Sequence, residues 1–517
     1  MISSTELNTM RSEAVSRRRR VIYNDDGGEV KHMQTPDLDS LLDKRLQHVV
    51  GTQVDSIFYC GHDNFTAAFY ESSVEDTELC SSAESGLHQA LAQGRDPSSE
   101  TIEFCRNNGL EVFWSFRMND IHDSFGRHLS RFKRDHPEWL LGSAEAPYPE
   151  DSVARAIWAA MDFAVPEVRS HALACIEEVC RKYDVDGIEC DYGRNASLFK
   201  PTLNEESADA HLGILTEFQR KIRDREAAIS RERKKPILVA AVVPETVELC
   251  RFVGIDVETW LAENLVDILI AGNGFVPFSM AVRPMMELAH EHGIPVYPRL
   301  DVHGGTMRDG MRVYDEHIEA WRGAAINYWQ AGADGVYLFN AYRNPNKGGS
   351  RTVGAVPLTQ VLGELGDVGI LRRKTTLYCV DMDMGKRGGY NCGDIRYYMP
   401  RERLVPVALN KEGSTVQFDV GEELAVSDAV HENAHKVQLR LRVVDLGGQQ
   451  APLFLFNGEA LPAVPSGEWM EYDLRPSQVR LGANTLTGRL PSTFRQLQDT
   501  VPRLTHVELW VHRTSER

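Results

Sequence analysis

Two carboxylates stand two residues apart in YDVDGIECDYGRN, which runs from Tyr183 to Asn195: Glu189 and Asp191. Positions i and i+2 of a strand share a face, so both acids would aim at one place. Two further acids end apolar runs of the same kind, Glu245 behind Pro244 and Asp301 in VYPRLDV. Paired carboxylates suit cleavage of a glycosidic bond. One protonates the leaving oxygen, and the other attacks or stabilises the oxocarbenium-like centre, or activates water. A third carboxylate or an arginine nearby can hold their pKa values apart, so that one stays protonated. The catalytic candidates are Asp191, Glu245, Asp301 and Glu189. Against this stands a structural role for Glu189, which with Arg117 and Arg299 would form an ion-pair layer inside the core.

Polar side chains that would position sugar hydroxyls fall at the ends of the same apolar runs. They are Asn24, Asp25, His62, Arg117, Asn119, Asp120, Arg194, Asn273, Arg299, Asn340 and Arg343. Four arginines among them, Arg117, Arg194, Arg299 and Arg343, would suit an anionic sugar, or would instead pair with the acids. His32, His62, His122 and His303 with Asp25 or Asp301 offer metal-ligand chemistry, but neither HxH on the first strand nor HExxH is present, and no metal or cofactor is expected. No strand-interior lysine points to a Schiff base, and GxSxG is absent.

The elements that must carry these residues repeat eight times between Arg20 and Asn344. Strand-like runs are RVIYND, VDSIFYCGHD, LEVFWSFRMND, VDGIECDYGRN, PILVAAVVPE, VDILIAGNG, IPVYPRLDVHG and ADGVYLFNAYR, with amphipathic helical patterns between them. Such alternation predicts parallel βαβ units, and eight of them predict a (β/α)8 TIM barrel. A doubly wound sheet is the alternative, weakened because no glycine-rich phosphate fingerprint follows the first strand. In a barrel one parity of each strand faces inward, which would group Ser115, Arg117 and Asn119; Glu189 and Asp191; Ala241, Val243 and Glu245; and Tyr297, Arg299 and Asp301. The long stretch from Ile121 to Val165, with Trp139, Tyr148 and Trp158, would wall the site. Beyond the βα rhythm no repeat stands out.

From Thr375 the helical period fades into short alternating runs, TTLYCV, STVQFDV, KVQLRLRVV, PLFLFNG, WMEYDL, NTLTGRL and HVELWVHR, which predict an all-β, jelly-roll-like sandwich. The expected division is an N-terminal arm over 1–19, the barrel over 20–350, a connecting segment over 351–374 and the β-sandwich over 375–517. RRRR at Arg17 to Arg20 reads as a solvated lead-in. The 517 residues carry a formal charge of −18, which argues against a nucleic-acid or anionic-membrane surface. Nine unpatterned cysteines, no apolar leader and no long apolar run lead to the expectation of a cytoplasmic, reducing location, unless a leader has been removed. The expected partner is a carbohydrate; a homo-oligomer is left open.

WSFRMNDIHD, PEVRSHALACIEEVCRKYDVDGIECDYGR and VYPRLDV together resemble the glycosyl-hydrolase-like, family-ten-like TIM-barrel proteins of the glycosidase superfamily. The resemblance implies a glycoside hydrolase acting on an oligo- or polysaccharide, or a degenerate barrel that binds glycans without cleaving them. A metal-dependent hydrolase or isomerase remains the third reading. The strand around Asp191 is also similar to the DGFRxD strand of α-amylases, which implies Asp191 as nucleophile and Glu245 as acid/base, although Glu189 stands where that family has Arg. It resembles the DGxDxDxE strand of chitinases too, but Gly193 occupies the position of the catalytic Glu. The acid-on-strand-four, nucleophile-on-strand-seven arrangement of other retaining glycosidases implies Asp191 with Asp301. Asp191 is common to all of these pairings.

Overall fold

The computed structural model describes all residues except 76–84, 126–128, 150–151, 275, 277, 302–306, 309–310, 313–316, 340–356, 381–398, 401–403, 426–433, 466, 496–499 and 514–517. Eight strands close into a barrel: β1 (Val21–Asp25), β2 (Val54–Tyr59), β3 (Glu111–Arg117), β4 (Gly187–Asp191), β5 (Leu238–Val243), β6 (Ile268–Ala271), β7 (Val296–Asp301) and β8 (Val336–Phe339). Each lies parallel to its neighbours, in chain order, with β8 returning to β1. The crossovers are the predicted helices, among them Leu38–Leu46, Pro97–Asn107, Pro166–Lys182, Leu212–Arg233 and Ile318–Ala331. Their apolar faces merge with the outward side chains of the strands into one core. A separate apolar cluster fills the barrel itself, drawn from Ile22, Phe58, Phe113, Leu238, Ile268, Tyr297 and Tyr337.

A repeat marks the barrel's lower edge, where the runs of strands two, four, six and eight each carry an Asp near their start. An Asp at or just before the start of each even-numbered strand accepts a backbone N–H at or next to the start of the odd-numbered strand before it. Asp55 takes Arg20 N at 2.7 Å, Asp186 takes Val112 N at 3.0 Å, Asp267 takes Val239 N at 2.7 Å and Asp334 takes Val296 N at 2.8 Å. Each aspartate also meets a basic side chain: Arg20, Arg106, Arg223 and His290 in turn. A strand-initial N–H left unpaired at a barrel edge is costly, and these carboxylates satisfy it with charge-assisted bonds. The barrel is thus stitched as four strand pairs.

The arginine run is not a solvated lead-in throughout. Arg19 is fully buried and closes the barrel floor, its Nε and Nη2 donating to the two oxygens of Glu111 at 2.7 and 2.8 Å. Ser56 Oγ adds a third bond to Glu111 at 2.6 Å. The helix Ser4–Val15 sits below, and its last carbonyls, of Ala14 and Val15, accept the remaining Arg19 donors. Arg19 is drawn inward because the glutamate at the base of β3 points inward and needs a partner, while Arg20 pairs with Asp55.

The C-terminal part forms two antiparallel sheets. β9 (Thr376–Val380), β10 (Val407–Ala408), β12 (Ala434–Val444), β15 (Trp469–Leu474) and β17 (Arg503–Arg513) make one, and β11 (Ser414–Val420), β13 (Leu453–Phe456), β14 (Glu459–Ala460) and β16 (Gly482–Arg489) the other. Strict alternation of buried and exposed residues along β11 marks one face of its sheet as core. Phe454 of β13 meets Tyr472 of β15 across the two sheets, ring centroids 6.4 Å apart. The helix Ile318–Ala331 carries this part against the barrel. A Cβ added to its Gly323 would stand 2.1 Å from the Leu377 carbonyl oxygen of β9, so only glycine permits the approach. Arg322 donates to Glu364 at 2.7 Å and to the Thr375 carbonyl at 3.0 Å. No described helix is long and apolar enough to cross a membrane.

Candidate active site

Strand register places inward polar side chains on two opposite walls of the barrel, β3–β4 and β7–β8. Ser115 lies beside Glu189 and Arg117 beside Asp191 across β3 and β4, while Tyr337 lies beside Arg299 and Phe339 beside Asp301 across β8 and β7. On the other flank of β4, Glu189 neighbours Ala240 and Asp191 neighbours Val242, and Ile268 and Ile270 continue this apolar wall. The acids therefore stand between a polar sector and a greasy one.

Glu189 is fully buried, and burial followed by the Asp191 charge pushes its carboxyl up to about 8, against the pull of Ser115, Tyr337 and Arg299. Asp191, only 2 % exposed, is also raised by burial, but Arg299, Arg194 and Arg117 all oppose that rise. The backbone N–H of Arg194 donates to Asp191 Oδ1 at 2.7 Å, a bond that favours the anion. The pair titrates together, with the stronger pull toward the anion on Asp191. Buried Tyr337 is held protonated by burial and by the charges of both acids.

Arg299, fully buried, lies over Phe339 with its guanidinium carbon 3.3 Å from the ring centroid, and its Nη2 is 3.5 Å from Asp301 Oδ2. The Arg194 guanidinium lies 4.9 Å from the same ring centroid. Arg117 is engaged at the rim by Asp26 and Asp63, with Asp120 at 3.6 Å, and Lys31 pairs with Asp63 in turn. Besides acting on Asp191, which it neighbours across β3 and β4, Arg117 thus pairs with acids of the rim loops.

The remaining positions separate into those that face this place and those that do not. Asn24 has the inward parity of β1, with its Nδ2 3.5 Å from the Phe58 carbonyl. Asp25 has the opposite parity and forms an ion pair with Arg45 of the helix Leu38–Leu46, so it serves packing rather than the interior. His62 accepts the Trp114 indole N–H at 3.1 Å and packs edge-on to Phe116. Those are outward side chains of β3, which puts His62 outside the barrel, and burial lowers its pKa to about 4. Asn119 binds the backbone of Met161 on both sides of its amide and the Ser197 carbonyl at 2.9 Å, tying two loops together. Burial works against the Asp120 anion, yet His122, Arg117 and Lys133 outweigh it and hold the carboxyl well below the usual range. Asn273 is buried where the loops after β4 and β6 touch, the Gly274 N–H donating to the Gly193 carbonyl at 2.8 Å.

Glu245 departs from its expected parity. The inward residues of β5 are Leu238, Ala240 and Val242, while Ala241 and Val243 face the helices. Glu245 follows two residues after the strand, buried, and its charge acts on the Cys250 thiol of the next helix. Asn340 and Arg343 lie outside the described residues. Tyr337 and Phe339 complete the cluster and were not among the candidates. Their i, i+2 spacing in VYLF was the available signal, since it gives them the same parity as the acids of the other strands.

No curated protein matches the chain. Among solved structures, α-L-fucosidase isoenzyme 2 from Paenibacillus thiaminolyticus is similar at 15% identity and a TM-score of 0.42, over 67% of this chain and 48% of that one. The chain thus spans about half the length of that fucosidase. The PgaB (BpsB) glycoside hydrolase domain from Bordetella bronchiseptica is similar at 10% identity and a TM-score of 0.41, over 63% of this chain and 94% of that one. The GH36 α-galactosidase AgaB from Geobacillus stearothermophilus gives 11% identity and a TM-score of 0.37, over 93% of this chain and 58% of that one. Residues 34–200, which contain β2, β3, β4 and the Glu189–Asp191 pair, match the family described as Glycosyl hydrolase-like 10.

Proposed function

We propose that the protein is a glycoside hydrolase whose reacting carboxylate is Asp191. The observation that carries this reading is the unequal pair on β4: one acid raised to about 8, the other facing three guanidinium groups and a backbone N–H. Two carboxyls two residues apart on one face share a proton, and the surroundings leave that proton on Glu189. Asp191 then meets the sugar as the anion, as nucleophile or as electrostatic stabiliser. Glu189 is the supporting acid beneath it.

Asp301 is the better partner for Asp191 than Glu245, because its parity on β7 is inward and both Asp191 and Asp301 lie in the field of Arg299. Asp301 would be the second carboxylate facing the sugar. Recognition of an anionic sugar loses support, since Arg117 and Arg299 already meet Asp26, Asp63 and Asp301. A neutral oligosaccharide packing on the apolar wall of β5 and β6 fits better. A glycan-binding barrel without turnover is the second reading, favoured by the 2 % exposure of Asp191, which requires the rim to open for a substrate.

A panel of α- and β-aryl glycosides and neutral polysaccharides tests the proposal. Turnover by the wild type should fall at least about 10³-fold in Asp191→Asn, or about 4 kcal/mol of barrier at 1.36 kcal/mol per decade. Saturable glycan binding without turnover of any member would establish the second reading instead.

A further inference from the structure

Outside the barrel, Glu75, His171 and Cys175 bring three ligand atoms within 4.8 Å of one another. Glu75 Oε2 lies 3.3 Å from His171 Nε2 and 3.7 Å from Cys175 Sγ. His171 and Cys175 stand four residues apart on the helix Pro166–Lys182, so they share a face. Bond lengths of about 2.0–2.1 Å to nitrogen and oxygen and about 2.3 Å to sulfur, at tetrahedral angles, separate ligands by roughly 3.3–3.7 Å. The two spacings from Glu75 are those of ligands on a tetrahedral zinc ion, and the His171–Cys175 pair lies within 4.8 Å.

Two of the three groups are oriented by their surroundings. The Phe65 backbone N–H donates to Glu75 Oε2 at 3.0 Å. The His171 ring packs against Phe132 and Phe65, centroids 4.2 and 5.5 Å away. Such supports fix a ligand before the ion arrives. Charge favours a dication as well. Glu75 and Cys175 are both buried, and a carboxylate and a thiolate around a 2+ ion leave a centre with no net charge.

We propose that Glu75, His171 and Cys175 form a binding site for a borderline-soft divalent cation, Zn2+ by its ligand set, with water as the fourth ligand. Binding breaks the Cys175 S–H bond and forms the sulfur–zinc bond, the proton passing to solvent, while the neutral imidazole keeps its proton on Nδ1. The side chain of His171 is 12% exposed and gives the route of entry. The ion would join the chain after β2 to the helix after β3. That chain carries Asp63, which holds Arg117 at the rim, so the ion is a positioning element and not a reacting one.

Hydrogen bonds among the same three groups without an ion would give similar spacings, and metal loading of the full chain separates the two cases. Chelator-stripped protein is reloaded with Zn2+ or Co2+, desalted and analysed. About one zinc per chain is expected, together with a thiolate-to-cobalt charge-transfer band, and a melting temperature raised by Zn2+. Cys175→Ser should lose the band, and Cys175→Ser and His171→Gln should each bind at least about tenfold more weakly. A wild-type cobalt form without a thiolate band overturns the proposal, as does zinc content unchanged in both variants. Should Cys175→Ser fail to fold, His171→Gln, at the partly exposed edge, and the wild-type spectrum still decide it.

Discussion

Replacing Glu189 by glutamine removes a proton-binding group while keeping a neutral side chain of nearly the same shape. In the folded chain, burial and the Asp191 charge lift that carboxyl from 4.5 to about 8. Between those values the folded protein holds a proton that the unfolded chain has released. Unfolding free energy therefore falls as pH rises, by about 1.4 kcal/mol per pH unit for one proton. Across an interval of roughly 3.5 pH units the loss is on the order of 5 kcal/mol, fully absent below the unfolded pKa and complete above the folded one. Asp191 shares this titration, so the slope belongs to the pair. Urea unfolding of wild type and Glu189→Gln at half-unit steps from pH 4.5 to 8.5 measures it. The glutamine variant should gain on the wild type by several kcal/mol as pH rises, because it has no carboxyl to ionise. Parallel stability curves for the two proteins would refute the electrostatic account of the pair, and with it the assignment of the resting proton to Glu189.

Three further outcomes follow from packing. Arg19→Ala leaves Glu111 buried without its cation and should cost about 3–5 kcal/mol in urea unfolding, with KM little changed, since the floor lies at the end opposite Asp191. Gly193→Ala puts a Cβ 2.7 Å from Val242 Cγ1 and 3.2 Å from the Asn273 Cα, so the loop that presents Arg194 N–H to Asp191 must move. It should lower kcat more than it lowers stability, by about 1–3 kcal/mol for the latter. Gly323→Ala forces a Cβ onto the Leu377 carbonyl and should loosen the C-terminal sheets from the barrel, read as faster proteolysis near residues 375–380.

The strands were legible because each is a short apolar run between turn signals, and β1 through β8 all lie within the runs quoted from the sequence. Parity was legible only where a strand mixes polar and apolar residues. On β4 and β7 the alternation of Glu189 with Ile188 and of Arg299 with Leu300 marks the inward side. On β5, LVAAVV is apolar on both faces, as parallel strands buried on both sides are, so nothing in it showed that Val242 and not Val243 turns inward. His62 and Asp25 take the outward side for a related reason. A polar residue at a strand end suggests the rim, but Trp114 and Arg45, distant in sequence, supply partners on the outer side. The burial of Arg19 had no local signal either, since its partner Glu111 is 92 residues away.

The four aspartate stitches decide where this barrel can be divided. Each bond runs from an even strand to the odd strand just before it, so the smallest unit that keeps its own bonds is a pair. Two separately expressed fragments joined only by their surfaces would each retain two intact stitches if the break falls in the loop between β4 and the helix Leu212–Arg233. A break between β3 and β4 instead parts Asp186 from Val112 and leaves a bare N–H on one fragment and an unpaired acid on the other. Fragment complementation is therefore set by strand number as much as by loop length, and the permissive cuts come after every second strand.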